Sequence, residues 1–165
     1  MHRFAWLFFA LCVALSATYI VVTTNALPER VASHFGPGNA ANAFMSRDGY
    51  LVFMLAFAVV LPAFLAAMIG ILPRARSNSI NIPHKDYWLD PKRKEDTLNA
   101  LSAHGAWLGG LIALFIAAIH YVLLVANRST PPQLPADLFW MLLVAFVAGI
   151  ILWSAALYVR FRNPS

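Results

Sequence analysis

At 165 residues the chain suffices for one compact helical membrane unit and leaves no length for a separate soluble domain. Its hydrophobic fraction of 61% and mean hydropathy of +0.68 exclude an ordinary soluble globular composition. The formal charge of +5 does not argue for nucleic acid as a partner, because the basic residues sit in loops and tails beside apolar segments, where they fix orientation and meet lipid headgroups.

Four stretches, 4–22, 50–72, 106–125 and 138–159, are each long and apolar enough to cross a bilayer. A helix rises about 1.5 Å per residue across a core of about 30 Å. None carries Asp, Glu, Lys or Arg in its interior. The reading is an all-α fold: an integral membrane four-helix bundle with an ordered outer loop and a short cytoplasmic helix leading into the third span. It forms one domain over 1–165, divided into a two-helix unit at 5–70, a cytoplasmic loop at 73–101 and a C-terminal helix pair at 102–159. The lipid bilayer is its first partner.

In the first stretch, Ala14-Leu15-Ser16 could pass as a cleavage site, but the apolar run continues through Tyr19-Ile20-Val21-Val22, longer than a signal h-region, so an uncleaved helix is expected. Cys12, the single cysteine, excludes an intramolecular disulfide and a Cys-based zinc site. The segment 23–49 reads as ordered coil with a tight turn at Gly36-Pro37-Gly38. The connection 73–101 begins as a polar, extended stretch over 74–83. Asp90-Pro91 then pairs an Asp N-cap with Pro at the first helical position, and 92–99 runs on into the third span. Pro131, Pro132 and Pro135 make the third connection a stiff turn.

Arg3, Arg74, Arg76, Lys85, Lys92, Arg93, Lys94, Arg160 and Arg162 fall on one side of this topology, and Arg30, Arg47 and Arg128 on the other. By the positive-inside rule both termini and the middle loop are cytoplasmic. Trp6, Tyr50, Trp107, Tyr121, Trp140 and Tyr158 lie near span ends and read as interfacial anchors.

Helix packing is expected at Gly105, Gly109, Ala113 and Ala117, a row of small residues four apart that lets backbones approach closely. Self-association is the alternative use of such a face. His120 is ionisable and intramembrane, and projects within about 20° of Gly109 and Ala113 at 100° per residue, so it faces the packed side. His104, about 160° away, reads as an interfacial polar residue. The five histidines include no His-x3-His pair, and no nucleophile–base pair, phosphate-binding glycine loop or haem-attachment motif occurs. No catalytic residue, cofactor or metal is assigned, and the expected function is non-enzymatic.

Leu27-Pro28-Glu29-Arg30-Val31-Ala32-Ser33-His34-Phe35, followed by Gly38 and Phe44-Met45-Ser46-Arg47, resembles the bacterial membrane domain of unknown function numbered 1648. That domain occurs in the immunity proteins that protect cells against the sporulation-delaying toxin, and in small uncharacterised membrane proteins. The loop Asn81-Ile82-Pro83-His84-Lys85-Asp86-Tyr87-Trp88-Leu89-Asp90-Pro91 looks like that of the shorter members. The resemblance covers roughly 5–70. It implies an outer cap built on Leu27, Pro28, His34, Phe35 and Gly38, with His34 and Phe35 folded back onto the bundle mouth above His120. It also implies interaction with another membrane component, in toxin immunity or signalling. Tyr87, Trp88, Asp90 and Pro91 are the expected cytoplasmic docking surface, which would serve an accessory subunit of a larger complex. A small transporter using His120 is the remaining expectation.

Overall fold

The computed structural model describes residues 2–76 and 80–164. Among them, four helices are long and apolar enough to cross a membrane. They are α1 (His2–Thr24), α2 (Arg47–Gly70), α5 (Lys94–Ala126) and α6 (Ala136–Phe161); α3 (Leu72–Ala75) and α4 (Lys85–Trp88) are single turns in the middle connection. The helical turn α3 replaces part of the extended backbone expected over 74–83, and positions 77–79 of that stretch lie outside the described residues. α5 takes in the whole third span and about three further turns before it. Its 33 residues make it about 50 Å long, so one end must project beyond a core of about 30 Å.

The fold is not purely helical. Two antiparallel strands, β1 (Arg30–Phe35) and β2 (Ala41–Ser46), stand where coil was expected between α1 and α2. Their register runs from Arg30 opposite Ser46 to Phe35 opposite Ala41, with irregularities around His34. The tight turn is present: Gly36 N–H donates to Ala40 O at 2.9 Å, and Gly38 takes φ +82°. β2 has the composition ANAFMS, with little β-branched or alternating character, and its pairing is held by contacts from outside the hairpin. The third connection supplies them: Ala41 N–H donates to Pro132 O, Leu134 N–H to Asn39 O, and Ala40 forms a bridge with Gln133.

α5 is the helix on which the others rest. α2 buries Tyr50, Met54, Ala58, Pro62, Ala66 and Gly70, an unbroken row at every fourth position. A row of that kind is the ridge that packs into a neighbouring helix's groove. α1 buries Ala5, Cys12, Ser16, Ile20 and Thr24 on a comparable face. At the crossing of α2 and α5, a Cβ on Gly105 would come within 2.7 Å of Ala66 O and 2.8 Å of Gly70 N, so the two backbones touch. A Cβ on Gly109 would meet the Phe9 ring at 2.7 Å. Ala113 is buried and its carbonyl accepts from Ser16 Oγ at 3.0 Å, while Ala117 is half-buried. Nearer the termini, Trp6 Nε1 donates to Ser102 Oγ at 2.9 Å.

α6 lies against α5, with Phe115 and Phe146 stacked at 4.0 Å and Trp153 Nε1 donating to His104 O at 2.9 Å. Its apolar surface otherwise faces outward: among its residues Phe161 is the one buried. Phe161 closes a second core with Ile80, Trp88, Leu98 and Leu101 at the end of the molecule that carries both termini.

Candidate functional site

Two polar constellations stand out, one buried and one exposed, both toward the hairpin end. The buried one centres on His120, which is fully enclosed. Its position six residues before the end of α5 puts it about 9 Å below that end. Tyr50, the first residue of the buried row of α2, brings its hydroxyl to 2.7 Å from His120 Nδ1. Thr23, in the last turn of α1, brings Oγ1 to 2.7 Å from Nε2. Tyr19 meets the imidazole edge-on at 5.4 Å, and the Tyr50 ring stacks on it at 5.7 Å.

The hydrogens in this cluster follow from the partners. Thr23 Oγ1 lies 2.6 Å from Tyr19 O, a carbonyl that can only accept, so the single hydroxyl proton goes there. Thr23 must then accept from His120, which puts the ring proton on Nε2 and leaves Nδ1 to accept from the Tyr50 hydroxyl. The result is a one-directional chain from Tyr50 through His120 and Thr23 to the Tyr19 carbonyl. It ties α1, α2 and α5 together in one network. Among the described residues no buried side-chain nitrogen or oxygen lacks a partner. Tyr50 is therefore an interior residue and not the interfacial anchor that its place near a span end suggested.

The exposed constellation is the hairpin. Its inner edge is buried at Val31 and Ala32. Asn127, at the end of α5, accepts from Ala32 N–H at 2.8 Å and donates to Ala32 O at 3.1 Å. Leu27 is buried in the main core, and its carbonyl accepts from Arg47 Nη1 at 3.2 Å, while Pro28 is exposed. His34 does not fold back onto the helices: it is exposed, and Nδ1 lies 2.6 Å from Asn42 Oδ1. Phe35 is half-buried and Gly38 exposed at the tip. His34 and His120 share neither a hydrogen bond nor a ring contact among the described residues; one lies on the hairpin surface and the other is sealed beneath it by Thr23 and Tyr50. Phe44 of β2 is 43% exposed with the Arg30 guanidinium 5.7 Å from its ring centre.

At the termini end the expected docking residues are largely committed to the chain itself. Trp88 is buried, its Nε1 donates to Phe161 O at 3.1 Å, and its carbonyl accepts from Thr97 Oγ1 at 2.8 Å. Tyr87 is half-buried with the Arg93 guanidinium 4.0 Å over its ring. Asp90 Oδ1 accepts from Lys92 N–H at 3.0 Å and Asp90 O from Lys94 N–H at 2.9 Å, so Asp90 and the exposed Pro91 form a turn ahead of α5, whose N-cap is Arg93 and not the expected Asp90. No three His, Cys, Asp or Glu side chains converge as metal ligands would among the described residues.

The sequence reading missed the partners of His120 and the role of Asn127. Thr23 and Tyr50 sit at span ends, where a hydroxyl is unremarkable, and only the four-residue row beginning at Tyr50 signals that its ring points inward. The helices and this interior define a multi-pass membrane protein. No family model, no curated protein and no solved structure matches the chain.

Proposed function

We propose that the chain is a non-enzymatic membrane protein whose hairpin end recognises another membrane component. The observation that carries this reading is the two-sidedness of the hairpin. Its inner edge is fastened to α5 by Asn127, while His34, Asn42 and Phe44 are exposed on the outside. A phenylalanine held in the open on a fastened strand offers a partner a contact whose ordering cost is already met. The polar groups inside the spans support the same reading, because their hydrogen bonds are spent on one another. The chain from Tyr50 ends on a carbonyl, which favours a structural role for His120 over a proton path. The basic residues at the termini end favour an orientation with both termini in the cytoplasm, and the resemblance of the 27–47 segment implies a bacterial inner membrane. Toxin immunity or signalling is the form of interaction that the resemblance of the 27–47 segment implies.

The test is site-specific photocrosslinking in native membranes. A crosslinker at Phe44 is expected to give one discrete protein adduct, lost in an Arg30→Ala background, while one at the outward-facing Leu11 gives lipid adducts alone. Lipid or no adduct at both positions overturns the proposal. A subunit role in a larger complex is the second reading, favoured by the outward apolar surface of α6. It predicts adducts from Val144 that survive Arg30→Ala.

A further inference from the structure

α1 and α6 both lean on α5 but stand apart from each other at the termini end, leaving a cleft of about 730 Å³ between them. Its floor is one strip of α5. At 100° per residue Asp96, Ala100, Ala103 and Trp107 fall within about 60° of one another, and Leu114 continues the same strip. The walls are His2 of α1 and Arg160 of α6.

The polarity of this cleft is graded along the helix axis. Trp153 bonds to His104 O, and α6 runs antiparallel to α5, so Arg160, seven residues beyond Trp153, lies level with the first turn of α5. Trp6 bonds to Ser102, which places His2 at about the same level. Asp96, Asn99, His2 and Arg160 thus form one polar tier. His104 and Ala103 come one to two turns deeper, followed by Trp107, 40% exposed, and Leu114, 44% exposed. That order, charged tier, single polar donor, then aromatic and aliphatic surface, is the order of headgroup, ester and acyl chain in a phospholipid. Asp96 and Arg160 share the cleft without forming an ion pair with each other. Arg160 is steadied by the Trp88 ring, 5.4 Å from its guanidinium carbon.

We infer that this cleft is a binding site for a zwitterionic aminophospholipid, its phosphate on Arg160 and its primary ammonium on Asp96. A headgroup with phosphate and amine satisfies both charges at once. A purely anionic headgroup would set a second negative charge against Asp96, and a quaternary ammonium has no N–H to donate to the carboxylate. His104 is placed to bond an ester oxygen, and the acyl chain follows Trp107 and Leu114 into the bilayer.

The experiment is native mass spectrometry of the delipidated protein in mild detergent with phosphatidylethanolamine, phosphatidylcholine or phosphatidylglycerol carrying identical dioleoyl chains. Phosphatidylethanolamine should be retained about tenfold more tightly than either competitor. Asp96→Asn, an exposed position, should remove that preference without changing melting temperature, and Asp96→Glu should restore it. Arg160→Gln should weaken all three lipids, and Arg160→Lys should recover them. Soluble phosphoethanolamine should bind far more weakly than the lipid, because it forgoes the apolar strip. Equal retention of the three headgroups, an undiminished preference in Asp96→Asn, or equal binding of the soluble headgroup would each overturn the assignment.

Discussion

Asn127 treats the backbone of Ala32 as a neighbouring strand would, accepting its N–H and donating to its carbonyl across 95 positions of sequence. The same side chain also donates to Leu123 O at 2.9 Å, so the end of α5 and the inner edge of β1 are fixed by a single amide. Both hairpin groups are partly sheltered from water, and losing their partner leaves each to find another.

Asn127→Ala is accordingly expected to cost about 1–3 kcal/mol. The loss should be concentrated in the hairpin, with amide exchange at Ala32 and Val31 accelerated while α2 and α5 keep their protection. Asn127→Asp should be at least as damaging, because a carboxylate would face the Ala32 and Leu123 carbonyls. Unchanged exchange along β1 in both variants would show that the contacts from Pro132 and Leu134 suffice alone.

The Tyr50–His120–Thr23 chain leads to a cycle of variants. Tyr50→Phe keeps the ring stacked on the imidazole and removes only the donor to Nδ1, and Thr23→Val removes the acceptor for Nε2 while keeping its shape. Hydrogen bonds between membrane helices contribute about 0.6 kcal/mol on average and up to about 1.7. Each single variant should therefore lower the melting temperature modestly. The double variant should lose less than the sum, since the imidazole can re-orient once the chain is broken. Strict additivity would mean that the two bonds are independent.

The helices were legible because their apolar runs are about as long as the bilayer core is thick. The extension of the third span was legible as well, but α5 begins at Lys94 with Arg93 as its N-cap, three residues beyond the expected Asp90 cap, and Asp90 serves the turn before it. The small-residue row was legible too, since Gly105 and Gly109 are spaced for helix contact. β1 and β2 were not legible. Ala41-Asn42-Ala43 carries no strand signal, and the groups that hold it lie about 90 residues later in the chain. Trp88 was misleading for a related reason. An aromatic residue in a polar loop reads as a surface feature until Phe161, 73 positions away, is seen to cover it. His34 was expected beside His120 on motif alone, and the Asn42 side chain holds it outward.

Glycine substitutions should rank by what each new Cβ meets. Gly105→Ala drives a methyl group into the α2 backbone at Ala66 and Gly70, which cannot yield without separating two helices, so it should be the most destabilising. Gly109→Ala meets chiefly the edge of the Phe9 ring, a side chain that can turn, and comes within 3.0 Å of the Ala66 methyl, so it should cost less than Gly105→Ala; Gly109→Leu should be severe. Gly38→Ala has open space around it, but φ +82° would cost an alanine about 1–2 kcal/mol. That cost should appear in the hairpin's exchange rates and leave detergent stability of the helices unchanged. Equal melting temperatures for the Gly105 and Gly109 alanine variants would show that α2 and α5 are free to part.

The termini-end core makes the last prediction. Phe161 is fully buried among Ile80, Trp88, Leu98 and Leu101, and its carbonyl receives the Trp88 indole. Truncating a buried phenylalanine costs about 3–5 kcal/mol where the site cannot collapse. Here the expected damage is local, because the main core around Tyr50, Met54 and Ile116 shares none of these residues. Phe161→Ala should open the segment 80–93 to proteolysis and free the last turn of α6, while the protection of Tyr50 and His120 persists. Trp88→Phe, which keeps a ring but removes the bond to the Phe161 carbonyl, should reproduce a smaller part of the effect. Limited proteolysis read by mass spectrometry distinguishes the cases. Cleavage rising at 80–93 in Phe161→Ala and less in Trp88→Phe is the expected order. Protection of that segment in both would mean that Ile80, Leu98 and Leu101 hold the connection without α6.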